Sequence, residues 1–400
     1  MDFTVIAEDV VHRTLRRHVR ELVRKHAADQ LDERERRGGD GFDEPFHLAL
    51  GRRGWIVPTW PVDRGGAGLD RLGARILDLE LARARIPATT LGITRLVLPA
   101  VERHASAAIR DELLAGVALG SVRFCLGYTE PEGGSDLAAA RTRAVRDGGE
   151  WVISGTKLFT TGAQHCQYCF LLARTDPSRP KRRGLTMFLL PLDAAGVDIQ
   201  PVRTLSGVRT NIVHLDDVRV PDRYRLGEVN DGWAVLRGPL DAEHSIGPGD
   251  DDGLDDASIG VIFLRQLQLA LDATAGWASE RGPDGTRPAD DPVVVHRLGR
   301  VAVQLAAALA TPGPAGRVRG AEATVAGAAE LVDVLGPAGL LDGRAPGALE
   351  SGRVEWLHRY AQGTTTYLGT VEIFRGIIAQ RDLGLPRPVH PAGTATDART

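Results

Sequence analysis

The chain has 400 residues, 43% of them apolar and 25% charged, with a formal net charge of −3. That apolar content can bury a large core and suggests two or three cooperating units, while the near balance of charge argues against a polyanion-binding surface, so no nucleic-acid partner is expected. No run of roughly eighteen apolar residues and no leader-like start stands out, so the expectation is a soluble cytoplasmic protein without membrane contact.

From Val10 to about Gly120 the apolar residues recur three to four apart, at Leu15, Val19, Leu22 and Val23 and again at Leu72, Ile76 and Leu79. This predicts an N-terminal α-helical domain over 1–120. Across 121–228 the character changes to short apolar runs at 151–153, 169–172, 185–190 and 213–220, punctuated by Gly, Pro and Asp. This predicts a middle β domain of sandwich or barrel type.

Two segments of that β domain stand out as walls for a ligand. TEPEGGSD at 129–136 combines a proline-fixed turn, two glycines that let the backbone approach a bound group, and hydroxyl and amide groups for hydrogen bonding. GTKLFTTG at 155–162 adds an aromatic ring and two hydroxyls. Cys125, Cys166 and Cys169 are the three cysteines, a small odd number that suits a reducing compartment. Cys166 and Cys169 form a lone CxxC in a strand-like stretch and read as packing residues, with no metal site expected.

Helical periodicity returns over 229–388, interrupted by Pro239, by the acidic run at 250–256 and by Thr311, Pro312, Gly313 and Pro314. This predicts a C-terminal helical bundle, followed by a flexible tail at 389–400. Trp233, Leu236, Leu240, Glu243 and Gly247 fall at intervals of three and four, which places one carboxylate, Glu243, on an apolar stripe. Such an acid loses hydration, and its pKa rises toward neutrality, as suits a base that must also release its proton.

These residues, taken together, resemble the acyl-CoA dehydrogenase family. Its usual middle-domain patterns are TEPxAGSD and GxKxWITxG or GxKxWTSGA, and further matches lie at Trp60–Leu69, Asp216–Pro221, Gly369–Ile373 and Leu383–Arg387. Nearly the whole chain is covered in order, and the tail is most similar to the actinobacterial subgroup acting on bulky or steroid side-chain thioesters. The overall expectation is an α+β multidomain fold: helical domain, β domain, helical bundle.

The resemblance implies FAD as cofactor and α,β-desaturation of an acyl thioester. Leu126, Tyr128, Thr129, Gly134, Ser135 and Thr160 would line the flavin, Phe159 would pack against its ring, and Thr161 would lie near N5. Arg281 matches the arginine that meets the pyrophosphate, Gly336 and Gly339 match a glycine turn near the dinucleotide, and Thr370 and Glu372 match positions near the adenosine. Asp333 stands where a glutamine is common. The acyl-CoA or other acyl thioester would be bordered by Ser135, Leu240, His244, Tyr367, Leu368 and Gly369.

Many relatives carry the α-proton base immediately before the GT of the tail motif, and here that residue is Leu368. The backbone N–H of Leu368 still supplies the oxyanion donor. The alternative base position, on the helix after the β domain, is filled by Glu243. About forty residues separate Asp291 from Leu331, a hairpin shorter by several turns, roughly 10 Å per arm, than the family's core hairpin. A homo- or hetero-oligomer, dimer or tetramer, with an electron-transfer flavoprotein as electron acceptor is implied. Two alternatives stand beside the enzyme reading. One is a non-catalytic or half-site partner subunit of a heteromeric acyl-CoA dehydrogenase, and the other is a flavoenzyme of the same fold acting on a carrier-protein-bound or non-thioester substrate.

Overall fold

The computed structural model describes residues 8–39, 41–243, 260–282 and 284–386, with Ala242 and Glu243 described by backbone alone. Six helices come first: α1 (Val10–His26), α2 (Leu31–Gly38), α3 (Glu44–Gly51), α4 (Arg71–Arg83), α5 (Thr89–His104) and α6 (Ala107–Leu119). Short acidic side chains start three of them, because each leaves its first N–H groups without intrahelical partners: Asp9 accepts from His12 N, Asp43 from Phe46 N and Asp70 from Gly73 N. The expected stripe of Leu15, Val19 and Leu22 is buried. An ion-pair hub joins α1 to α4, where Glu80 receives Arg20 at 2.6 Å and Arg16 at 2.5 Å. Those two guanidinium groups, Arg20 first, hold the Glu80 carboxyl at about 2.

Eight strands follow: β1 (Phe124–Gly127), β2 (Arg143–Asp147), β3 (Glu150–Lys157), β4 (Tyr168–Arg174), β5 (Leu185–Pro191), β6 (Val197–Arg203), β7 (Arg209–Pro221) and β8 (Arg225–Leu226). They form one connected sheet in the order β6-β7-β3-β2-β4-β5-β8, with β1 parallel to β4. The two halves join only through Arg143 opposite Arg174, and the sheet folds there. The sandwich character expected from the sequence lies in this fold. Ala144, Trp151 and Ile153 from one half share a core with Leu171, Ala173, Phe188 and Leu190 from the other.

Strand period decides what the opposite face does. Phe170 and Leu172, and Leu185, Met187 and Leu189, alternate with those inner residues and pack into the helical core with Leu98, Val101, Leu236 and others. β4 and β5 are therefore buried on both sides, which is why they read as unbroken apolar runs. Cys125, Cys166 and Cys169 are buried and free, in the inner core.

The C-terminal helices are α7 (Gly232–Glu243), α8 (Gly260–Ser279), α9 (Pro292–Leu309), α10 (Gly313–Leu335), α11 (Arg353–Thr364) and α12 (Val371–Ile377). Helices α8 and α10 cross closely: a Cβ on Gly320 would stand 2.9 Å from Gly260 Cα. Helix α9 and the segment Gly313–Leu340 reach the length and hydropathy of a membrane span, although neither is an unbroken apolar run in the sequence. Helix α9 nevertheless turns Val301, Leu305 and Ala308 into the bundle. Its other face leaves Val295, Val303 and Leu309 exposed.

Candidate active site

The two wall segments meet through a buried ion pair. Lys157, at the end of β3, directs Nζ to Glu130 Oε1 at 2.7 Å, and the two Glu130 oxygens also accept from the backbone N–H groups of Arg141 at 2.6 Å and Thr142 at 2.9 Å. Burial disfavours both charges. Its effect lowers the Lys157 pKa, whereas for Glu130 the attraction of Lys157 and the three donors outweighs it and the carboxyl stays below its ordinary value. Directly beyond the pair, Leu158 N donates to Thr129 O at 2.9 Å. The TEP segment and the GTK segment are thus held side by side.

This clamp supports an exposed aromatic ring. Phe159 sits in the left-handed region at φ 57° and is 61% exposed, an arrangement that costs on the order of 1 kcal/mol for a non-glycine residue and is concentrated at functional sites. Its neighbours are anchored: Thr160 is buried, its N–H and C=O both bonded to Asn211, and Thr161 Oγ1 lies 3.0 Å from Thr210 Oγ1. Gly155 allows the approach to the clamp, since a Cβ there would stand 2.7 Å from Thr142 Oγ1. Leu126 packs on the helical core, Tyr128 meets Phe170 edge-on, and Gly134 and Ser135 are exposed. An exposed ring beside open hydroxyls and a glycine-lined rim fits a planar, heteroatom-rich group.

The second wall is the turn between α11 and α12. Leu368, at φ 54°, and Gly369, at φ 86°, are both left-handed, and among the described residues the Leu368 N–H has no acceptor. Arg317 of α10, 1% exposed, reaches beneath this turn, and its terminal nitrogen donates to the carbonyls of Thr364, Tyr367 and Gly369 at 2.8, 2.5 and 2.8 Å. Gly363 leaves room for the Tyr367 ring, which a Cβ would meet at 2.2 Å. Burial raises the Tyr367 phenol pKa, and Arg359 of α11 donates to Leu205 O, in the β6–β7 connection, at 2.8 Å. The turn is therefore tied to the hairpin whose β7 strand carries Thr210 and Asn211.

Other expected residues lie elsewhere. Thr370 caps α12, accepting from Ile373 N at 3.3 Å, and Glu372 is exposed beside Arg375. Arg281, past the end of α8, donates to Gly285 O; Gly336 is left-handed at φ 60° and Gly339 is buried against Val332. No hydrogen bond, ion pair or ring contact among the described residues joins Arg281, Gly336, Gly339 or Glu372 to the Phe159 wall. Asp333, which stands where a glutamine is common, is matched by Arg297 at 3.1 Å.

Helix α7 buries Val235 and Leu236, with Leu240 packed on the same core. Pro239 is accommodated within it, so the register from Leu236 through Leu240 carries on to position 243. The side chain of Glu243, and His244 entirely, lie outside the described residues. Arg182 stacks on Trp233 at the start of this helix, 4.7 Å from the ring centroid. Sequence reasoning gave no role to Glu130, Lys157 or Arg317. A lysine within a β-strand pattern and an arginine in an Ala/Gly-rich helix were the available signals, because a charge among apolar residues must find partners.

The chain matches the models of the acyl-CoA dehydrogenase N-terminal domain at residues 10–121, middle domain at 125–218 and C-terminal domain at 311–383. It is 33% identical to acyl-CoA dehydrogenase FadE26 of Mycobacterium tuberculosis over 361 residues, 84% of this chain and 86% of that protein. It is 32% identical to acyl-CoA dehydrogenase IpdE1 of the same organism over 380 residues, 87% of this chain and 90% of that protein. Among solved structures, the ChsE4-ChsE5 complex from Mycobacterium tuberculosis superposes with a TM-score of 0.80 at 30% identity, covering 96% of this chain and 100% of that chain. The Tcur3481-Tcur3483 steroid ACAD gives 0.79 at 29% identity, covering 96% of this chain and 100% of that chain.

Proposed function

The chain belongs to the acyl-CoA dehydrogenase family, and on that premise we propose that it desaturates an acyl thioester at the α,β position, with Glu243 as the base and FAD as cofactor. The observation that carries this reading is the pairing of two left-handed, exposed positions, Phe159 and Leu368, on walls whose elements, α11 and the β6–β7 hairpin, are joined by the Arg359–Leu205 hydrogen bond. When bound, FAD would supply the hydride acceptor. Phe159 would cover one side of its ring, with Thr129, Ser135 and Thr161 offering hydrogen bonds at its edge, while the buried Thr160 anchors the segment through Asn211.

The remaining chemistry falls to this chain's own groups. An α-proton of a thioester becomes acidic enough to remove only when the developing negative charge on the carbonyl oxygen is stabilised. The N–H of Leu368, without an acceptor among the described residues, suits that task, and it survives the loss of a carboxylate at that position because it belongs to the backbone. In the spacing of the sequence Glu243 follows Leu236 and Leu240 on one stripe of α7, and an acid on such a stripe suits a base of raised pKa. Leu240, His244, Tyr367 and Gly369 would border the acyl group.

Arg281, Gly336, Gly339 and Glu372, set apart from the Phe159 wall within one chain, are supported as contributors to a neighbouring subunit's dinucleotide. The exposed Val295, Val303 and Leu309 of α9 support an oligomer. A second reading is favoured by Leu368 itself and by the two-component names of the similar structures: this chain would then be the base-deficient or scaffold member of a hetero-oligomer. An absorption spectrum of the isolated protein, titrated with acyl-CoA thioesters, tests both. Yellow protein bleached by a thioester supports the enzyme, and colourless protein that becomes yellow and active only with a sister chain supports the scaffold.

A further inference from the structure

We propose that Arg317 is a positioning residue for thioester activation: it orients and polarises the Tyr367–Leu368 peptide so that the Leu368 N–H is a stronger oxyanion donor. The inference rests on the reading of Leu368 as that donor. Its geometry is specific. Tyr367 C=O and Leu368 N–H are the two ends of one peptide unit, and Arg317 donates to the carbonyl end at 2.5 Å while the N–H end is left without a protein acceptor among the described residues.

Hydrogen bonds in a chain polarise one another, by about 10–30% per bond in a low-dielectric interior. A cationic donor on the carbonyl draws electron density along the peptide and leaves its N–H more positive. The same nitrogen also holds Thr364 O and Gly369 O at 2.8 Å each, so the carbonyls on both sides of the left-handed pair are fixed and the open N–H has one direction to point.

The arginine is itself held in place. Phe263 of α8 and Phe374 of α12 bracket its guanidinium at 4.9 and 5.3 Å from their ring centroids, so three helices converge on this one turn. Aromatic faces attract a cation without competing for its N–H groups, which remain available for the three carbonyls. A lysine would keep the charge but lacks the planar guanidinium that lies between the two rings.

The test uses the purified, flavin-loaded protein and 4-(dimethylamino)cinnamoyl-CoA, a chromophoric enoyl thioester whose band moves to the red when its carbonyl accepts strong hydrogen bonds. Wild type is expected to shift the band. Arg317→Met is expected to abolish most of the shift and lower kcat at least tenfold, with KM within about threefold and flavin content unchanged, and Arg317→Lys to fall between. A folded R317M protein with the wild-type shift and kcat overturns the role of Arg317, whereas a wild type that binds the probe without any shift overturns the reading of the Leu368 N–H. If neither arginine variant folds, Phe263→Leu, which removes one bracketing ring and keeps the charge, should reduce the shift and lower kcat about threefold. An F263L enzyme identical to wild type in both measurements overturns the proposal.

Discussion

Lys157 Nζ lies 2.7 Å from Glu130 Oε1, with side-chain exposures of 0% and 5%, and this one contact aligns the two segments proposed to cradle the cofactor. A buried pair is expensive to break because the remaining charge has no solvent to turn to. Lys157→Met should therefore destabilise the protein by about 3–5 kcal/mol in chemical denaturation. The double variant Lys157→Met with Glu130→Gln should recover much of that loss, since the charge is gone and the new side-chain amide oxygen can still accept one backbone N–H. Flavin affinity should stay weakened in the double variant, and tight flavin binding there would show that the pair is structural alone.

Phe159 offers a prediction of opposite signs. Replacing it by glycine removes the steric penalty of φ 57°, and at 61% exposure the ring contributes little burial. Phe159→Gly should leave the flavin-free protein as stable as wild type or more stable by up to about 1 kcal/mol, while flavin affinity falls about tenfold. Denaturation curves and a flavin fluorescence titration measure the two effects separately. A destabilised variant with normal flavin binding would show that Phe159 serves the fold.

Removing the base leaves the cofactor site intact. Glu243→Gln should retain flavin and thioester binding yet lose on the order of 10²–10⁴ in the desaturation rate, the usual share of a general base. Rapid mixing with excess thioester, followed at the flavin band, reads this directly, and unchanged turnover would reject the assignment.

His47 sets a pH dependence. Burial, aided by repulsion from Arg123, lowers its pKa from 6.5 to about 4, and its Nε2 finds no hydrogen-bond partner among the described residues. The unfolded chain therefore takes up a proton near pH 6.5 that the folded protein refuses until about pH 4. The associated stability is present above pH 6.5 and is lost as pH falls toward 4. Between pH 7 and pH 4.5 this amounts to about 2–3 kcal/mol. His47→Leu should flatten that part of the stability profile, and an unchanged slope would assign the loss to the carboxylates.

Much of the architecture was legible before the structure because short-range patterns carry it. The helical spacing of Leu15, Val19 and Leu22 and the unbroken run from Tyr168 to Leu172 each follow from the period of one element and the face it must bury. The TEPEGGSD and GTKLFTTG segments were equally legible, since their turn chemistry is local. The connection of the strands was less so: a sheet folded at the single Arg143–Arg174 pair depends on which distant strand is neighbour to which.

The chain alone determined where helices and strands form, which family it resembles, and that Leu368 replaces a carboxylate, all of which follow from residue identity and spacing. Only the folded molecule decided that Arg317, some fifty residues away in sequence, grips the peptide whose amide is Leu368, that Lys157 finds Glu130, and that Asp333 is matched by Arg297. Such pairings arise because a charge taken out of water must meet whatever partner packing brings to it, and packing joins segments that no local period relates.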